Sequence, residues 1–276
     1  MTQTQQSLPI PQALARVRER IAEAALCAGR TPESVTLVAV SKTFPAQAVR
    51  EALPAGQRDF GENRVEEALP KIAEIGDWRL ENGDRRLAIG DSELQVRWHL
   101  IGHLQSRKVR DAVGHFALIH SIDSVKLATT LNSRIANLQS PISNPQSPLP
   151  QPILLECNVS GEETKSGFAV AGWEKGGAVF DAFASDVQQI MALPNVSVRG
   201  LMTIAPIVER PEQARPFFTS LRALRDRLRE HLPGANLEHL SMGMTDDFEA
   251  AVAEGATLVR IGRAIFGERA ASPHHA

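Results

Sequence analysis

The feature that most constrains this chain is a rhythm of eight short apolar runs separated by helix-forming sequence. The runs are residues 34–42 (SVTLVAVSK), Arg58–Phe60, Val96–Ile101, Ala117–Ile122, Ile153–Val159, Val198–Ile204, Leu237–Ser241 and Thr257–Ile261. Their largely continuous apolar character suits strands buried on both faces, hence a parallel sheet covered by helices. Apolar positions at helical spacing predict helices over Pro11–Gly29, Val65–Ile75, Gln105–Val113, Val125–Leu138, Gly177–Leu193, Pro211–His231 and Asp246–Glu254. Eight such units in 276 residues favour one closed TIM (β/α)8 barrel, with a doubly wound open sheet as the alternative.

The expected plan is a disordered stretch over 1–9, a barrel over 10–268 and a tail over 269–276. Two polar stretches, 76–95 and the five-proline segment 139–152, read as surface insertions without chemistry. Composition removes whole classes of function. Lys plus Arg number 30 against 32 for Asp plus Glu, a formal charge of −2, so no broadly basic surface awaits nucleic acid. Two cysteines cannot frame a disulfide scaffold or a cysteine-only metal site. No apolar run approaches the roughly 18 residues that span a bilayer, and no leader pattern opens the chain. A reduced, cytoplasmic protein is expected, with no membrane partner. Monomer is the default, because a closed barrel needs no second copy. There is no tyrosine, so no mechanism requiring a phenol can run here.

In an α/β barrel the working residues stand just past the C-terminal ends of the strands. Those ends carry Ser41–Lys42, Gly61–Glu62–Asn63, His99 with Gly102–His103, Asn158, Ser160, Lys165–Ser166, Met202–Thr203, residues 241–245 (SMGMT) and Arg260–Gly262–Arg263. Lys42 leaves an apolar strand at the barrel mouth. There, desolvation and neighbouring cations lower a lysine's pKa and make it a nucleophile toward carbonyls. A lysine merely snorkelling from a strand end is the plain alternative.

The turns after the seventh and eighth strands of such barrels commonly hold a phosphate through backbone N–H groups. Ser241 and Thr245 offer hydroxyls, and Gly243 and Gly262 permit close backbone approach. Asp246 and Asp247 suit such a site only if they cap the next helix and point away. An imine-forming lysine beside a phosphate cradle indicates a carbonyl-bearing phosphate. Pyridoxal 5′-phosphate and an aldolase's sugar phosphate both qualify, and the residues narrow it no further. His99 and His103 flank Gly102 outside any HExxH frame, and read as satisfied rim histidines rather than metal ligands. Glu156, facing inward, needs a partner.

Six segments then carry a resemblance: AVSKTFP (39–45), FGENRVEEAL (60–69), WHLIGHLQSRKVR (98–110), SGEETKSGF (160–168), GLMTIAP (200–206) and LSMGMTDDFEAAVAEGATLVRIGRAIFG (240–267). In this order they resemble the YggS/PROSC group, the pyridoxal phosphate homeostasis proteins, over residues 10–268 apart from the two insertions. The resemblance implies a barrel similar to the N-terminal domain of alanine racemases. It implies Lys42 as the Schiff-base lysine, Asn63 near the cofactor and Arg260 approaching the pyridine nitrogen. Ser241, Gly243, Met244, Thr245 and Gly262 would lie around the phosphate. Met202 would be a further cofactor-binding residue, and Lys165 a second lysine near the entrance. The implied role is intracellular vitamin B6 homeostasis: holding the cofactor, buffering or delivering it, with transient contact to apo-enzymes and no established turnover.

Two departures are visible. Phe44 stands where many relatives carry lysine, which puts in doubt any transfer role of that lysine. Thr245 stands where many have serine, and keeps the hydroxyl. Racemases of the related fold oppose their lysine with a tyrosine from a second domain. This chain has no tyrosine and only fifteen residues (262–276) after Ile261, so no second base is expected. An arginine at the pyridine nitrogen disfavours its protonation and weakens the ring as an electron sink, a trait those racemases share. The competing readings are a weak single-domain racemase-like enzyme using Lys42 alone, a Schiff-base aldolase, and a cofactor-free interaction protein.

Overall fold

The computed structural model describes residues 8–81, 95–138 and 150–268. Eight parallel strands close on themselves: β1 (Thr36–Val40), β2 (Asp59–Glu62), β3 (Arg97–Leu100), β4 (Leu118–Ile122), β5 (Gln151–Asn158), β6 (Val196–Met202), β7 (His239–Ser241) and β8 (Leu258–Ile261). Each pairs with its sequence neighbours, and β1 joins β8 through Thr36–Leu258 to Ala39–Ile261. The closed barrel, rather than the open sheet, is what the chain forms. A two-residue strand, Phe168–Ala169, lies against the end of β5 outside the ring.

The helices are α1 (Ile10–Cys27), α2 (Ala46–Ala52), α3 (Val65–Glu81), α4 (Val109–Ala112), α5 (Val125–Leu138), α6 (Gly177–Met191), α7 (Arg215–His231), α8 (Phe248–Ala253) and α9 (Arg263–Phe266). They cover the ring with apolar faces, as Leu14, Val17, Ile21 and Ala25 do from α1. The arginine-rich α7 buries Phe218, Leu221, Leu224 and Leu228 and turns its charges outward. Inside the ring, Val38, Leu118, Leu154, Met202 and Leu258 form a separate small apolar cluster.

Several boundaries differ from the pattern-based reading. α3 continues past Gly76 to Glu81, because one glycine costs a helix only about 1 kcal/mol. β5 starts at Gln151, inside the second proline-rich stretch, and β6 spans Val196–Met202 rather than Val198–Ile204. The rest of the two polar stretches (82–94 and 139–149), residues 1–7 and the tail 269–276 lie outside the described residues. Among the described residues no helix is long and apolar enough to cross a membrane.

Two local constraints shape the mouth of the barrel. Gly200 in β6 has φ +155°, and a Cβ there would sit 2.0 Å from the His239 carbonyl oxygen. It lies where the β5–β6 register shifts by one residue, so β6 approaches β7 too closely for any side chain. The second constraint is a buried ion pair. Lys71 of α3 donates to Glu62 Oε1 at 2.6 Å and to the Ser41 carbonyl at 2.8 Å, and Ser41 Oγ donates to the same carboxylate oxygen at 2.6 Å. Glu62 is fully buried, and Lys71 is the cation paired with it.

Lys71→Met therefore leaves an uncompensated carboxylate and should cost about 3–5 kcal/mol, read as a lowered urea midpoint. Adding Glu62→Leu to that variant should recover most of the loss, because an apolar pair of similar volume replaces the ions. Gly200→Ala should also destabilise strongly, by displacing β7 against β6.

Candidate functional site

Past the C-terminal ends of the strands lies an open cavity of about 780 Å³. Of the residues that the resemblance places around the cofactor, Lys42, Asn63, Lys165, Met244, Thr245, Arg260 and Gly262 line it. Met202, Ser241 and Gly243 do not. Met202 packs in the apolar cluster inside the ring, and Ser241 is fully buried beneath Arg260. Gly243 adopts φ +91° where a Cβ would meet Ala251 at 2.6 Å, so the turn and its packing on α8 require a glycine there.

Strand alternation delivers Lys42. Val38 and Val40 face the barrel axis, and Lys42, two residues on, continues that face into the cavity. The turn behind it is strained: Thr43, a β-branched residue, has φ +68°, a conformation that costs on the order of 1–3 kcal/mol. Phe44 N–H donates to the Ser41 carbonyl at 3.1 Å, and the Lys71–Glu62–Ser41 contacts hold the turn from outside. Phe44 itself packs on Phe266 of α9, ring centroids 5.4 Å apart, and so braces the lysine turn against the last helix. Asn63 is set by Gly102, where any Cβ would lie 2.3 Å from the Asn63 carbonyl oxygen.

The loop after β7 folds back on itself. Asp247 accepts the Met244 N–H at 2.5 Å, and Asp246 pairs with Arg263 across the turn after β8. Both acids are thus engaged by the turns, the arrangement that lets an anion sit nearby. At Gly262 a Cβ would lie 3.1 Å from the Val40 carbonyl oxygen, so the β8 turn runs close against β1. Lys165 donates to the Ile204 carbonyl at 3.1 Å and pairs with Glu162, spanning the rim between β5 and β6.

Arg260 is the buried cation of the site. It donates to Ser241 Oγ at 2.6 Å and to the Thr203 carbonyl at 2.9 Å. Burial lowers its pKa to about 10 against the opposing charges of Asp247 and Glu156, so it stays protonated at neutral pH. Glu156 lines the cavity, and burial with the Asp123 charge raises its pKa despite Arg260 and His103. Thr203 is nearly fully buried, and its hydroxyl donates to the Cys157 carbonyl at 2.7 Å.

The histidines differ from the sequence reading. His103 does stand exposed at the rim, 3.3 Å from Asp123, but His99 lies inside the barrel, buried against His120. Strand parity was the available signal, since His99 alternates with the outward Leu100. The residues sequence reasoning missed are His120, Asp247 as a turn clamp, and the Lys71–Glu62 pair. Among the described residues no group of three or more His, Cys, Asp or Glu side chains could hold a metal ion.

The chemistry this cavity offers is a primary amine on an apolar strand end, a buried guanidinium, and a hydroxyl beside closely packed turns. Comparison with known proteins follows that chemistry. The family model for the alanine racemase N-terminal domain matches residues 13–270. The pyridoxal phosphate homeostasis protein of Pseudomonas aeruginosa is 45% identical over 263 residues, 94% of this chain and 96% of its own length. Those of Aquifex aeolicus and Escherichia coli K12 are 41% and 40% identical over 93% of this chain, covering 96% and 95% of their own lengths. PipY of Synechococcus elongatus, solved with PLP bound, is 35% identical with a TM-score of 0.72, covering 94% of this chain and all of PipY. An alanine racemase from Clostridium difficile shares the fold alone, at 11% identity and a TM-score of 0.62 over 96% of this chain and 58% of the racemase. A barrel of this form, with this conjunction of strand-end residues and these relatives along nearly its whole length, belongs to the pyridoxal phosphate homeostasis protein family.

Proposed function

We propose that this chain binds pyridoxal 5′-phosphate covalently through Lys42 and serves vitamin B6 homeostasis as a holder that buffers the cofactor and hands it on, without turnover of its own. The observation that carries this reading is the meeting, in one cavity, of the Lys42 side chain, the buried Arg260 cation and the turns bearing Thr245 and Gly262. The names of the relatives and the PLP-bound PipY point the same way.

The residues present fit the cofactor. A cavity of about 780 Å³ lies within the usual range for small-molecule sites, about 300–1,000 Å³. The aldehyde is matched by a primary amine. The phosphate is matched by the Thr245 hydroxyl and by the closely packed turn at Gly262, both of which line the cavity. When bound, the cofactor supplies an aldehyde that condenses with an amine and a ring able to accept electron density.

The protein's own residues suit retention better than turnover. Arg260 stays cationic and disfavours a proton on a ring nitrogen brought against it. Burial pushes the Cys157 thiol well above its ordinary pKa, so it supplies no nucleophile. No tyrosine is present to oppose Lys42 as a second base. Lys165, held by Glu162 and the Ile204 carbonyl, stands where cofactor enters and leaves. In this reading the protein is a cytoplasmic monomer that meets apo-enzymes transiently. Its closed ring offers no free barrel edge for strand pairing.

Titration with pyridoxal phosphate should give a visible band that borohydride bleaches, and Lys42→Ala should abolish it. A Lys42→Ala protein that retains the band would contradict the reading. Thr245→Val should raise the Kd for pyridoxal phosphate about tenfold, equivalent to ~1.4 kcal/mol, while leaving that for pyridoxal unchanged. Equilibrium dialysis with the two ligands checks it.

A further inference from the structure

A line of buried polar side chains crosses the barrel from its opposite end to Arg260, over five strands, β2, β3, β4, β7 and β8. Arg97 holds Asp59 with two bonds, Nε to Oδ1 at 2.7 Å and Nη2 to Oδ2 at 2.6 Å. Asp59 Oδ1 lies 3.0 Å from His99 Nε2, and His99 Nδ1 lies 2.9 Å from His120 Nε2. His120 Nδ1 lies 2.8 Å from Ser241 Oγ, which receives Arg260 Nη1 at 2.6 Å. Asp59, His99, His120, Ser241 and Arg260 are all buried, the middle of the chain completely.

With one proton on each imidazole, the donors and acceptors can be arranged in a single direction. An ionised Asp59 accepts only, so His99 Nε2 carries the proton and its Nδ1 is bare in the neutral ring. His120 must then donate from Nε2, leaving its own Nδ1 to accept the Ser241 hydroxyl. Ser241, donating to His120, turns its lone pairs to Arg260. Every bond in the line is satisfied in this one sense. A proton added to His99 Nδ1 forces His120 into the other tautomer, and the Ser241 hydroxyl then loses its acceptor.

We propose that Asp59, His99, His120 and Ser241 are positioning residues, a one-directional relay that fixes the Arg260 guanidinium at the cofactor cavity from the far end of the barrel. This rests on the cofactor reading above only in what Arg260 is positioned for. The groups facing the two imidazoles are Asp59 from β2, Arg97 at the start of β3, His239 and Ser241 from β7 and Arg260 from β8. Burial, then His99, Arg260 and His239, hold His120 well below its ordinary pKa. Burial works to raise Asp59, and the hydrogen bonds from His99 and Arg97 outweigh it, leaving it below its usual value.

The first test needs no cofactor: nitrogen NMR of the full-length, histidine-labelled protein at neutral pH. The relay predicts both His99 and His120 bare at Nδ1 and protonated at Nε2. A His120 protonated at Nδ1, or either ring averaging two tautomers, overturns it. The second test uses variants that still fold by circular dichroism. His120→Asn keeps an acceptor at the position that meets Ser241, whereas His120→Gln does not. His120→Gln should raise the pyridoxal phosphate Kd about tenfold and alter the pH dependence of the bound band, with the borohydride adduct still on Lys42. His120→Asn should stay within about threefold of the parent. Equal behaviour of parent and His120→Gln overturns the relay, whereas a parent that takes up no pyridoxal phosphate overturns the cofactor reading and leaves the NMR test standing. Acid unfolding adds a third check. Because the fold holds His120 neutral, its contribution is complete above 6.5 and falls as pH drops below that value. The parent's urea midpoint should therefore decline from about pH 6.5 downward more steeply than that of His120→Gln, and equal slopes would contradict a neutral buried His120.

Discussion

A guanidinium buried in the middle of a barrel is the constraint around which the rest of this structure is arranged. Removing such a cation from water costs several kcal/mol unless charges and hydrogen bonds replace the lost hydration. Here the replacements come from many directions. Ser241 and the Thr203 carbonyl accept its protons, and Asp247 and Glu156 supply opposing charge. Three of these residues are themselves held by further contacts. Asp247 holds the Met244 turn, the Thr203 hydroxyl reaches the Cys157 carbonyl, and Ser241 ends the line from Asp59. The interior of the ring is therefore divided between an apolar cluster around Met202 and a polar line ending at Arg260.

The lysine turn follows a parallel logic on the outside of the barrel. Strand alternation aims Lys42 at the cavity, but the backbone needed to leave β1 there puts Thr43 in the left-handed region. That strain persists because linked contacts over-determine the turn: the Lys71–Glu62–Ser41 cluster, the Phe44 N–H bond to the same Ser41 carbonyl, and the tilted packing of Phe44 on Phe266. Lys42, just past the end of β1, and Arg260 of β8 thus line the same cavity, and the two strands pair with each other.

Much of this was legible in the sequence. The strand count and the closed barrel followed from continuous apolar runs, because parallel strands buried on both faces leave that signature. The rim residues followed from the rule that strand C-termini carry the chemistry. What escaped detection has a common physical cause. The His99–His120 and His120–Ser241 contacts join residues 21 and 121 positions apart, and no local periodicity reports such pairs. α2 escaped because its buried positions, Ala46, Ala48, Val49 and Ala52, are too small to give a strong apolar pattern. Ser241 is in addition bonded to Arg260 and His120, and Gly243 is required by the packing of its turn on α8, contacts that residue type and strand-end position do not report.

The central claim is that one lysine carries the cofactor. Peptide mass mapping of the pyridoxal phosphate-treated, borohydride-reduced protein tests it most directly. The expected result is a stoichiometric pyridoxyl mass on the peptide containing Lys42, with no other lysine modified comparably. A label spread across surface lysines, or one concentrated on Lys165 with Lys42 untouched, would contradict it.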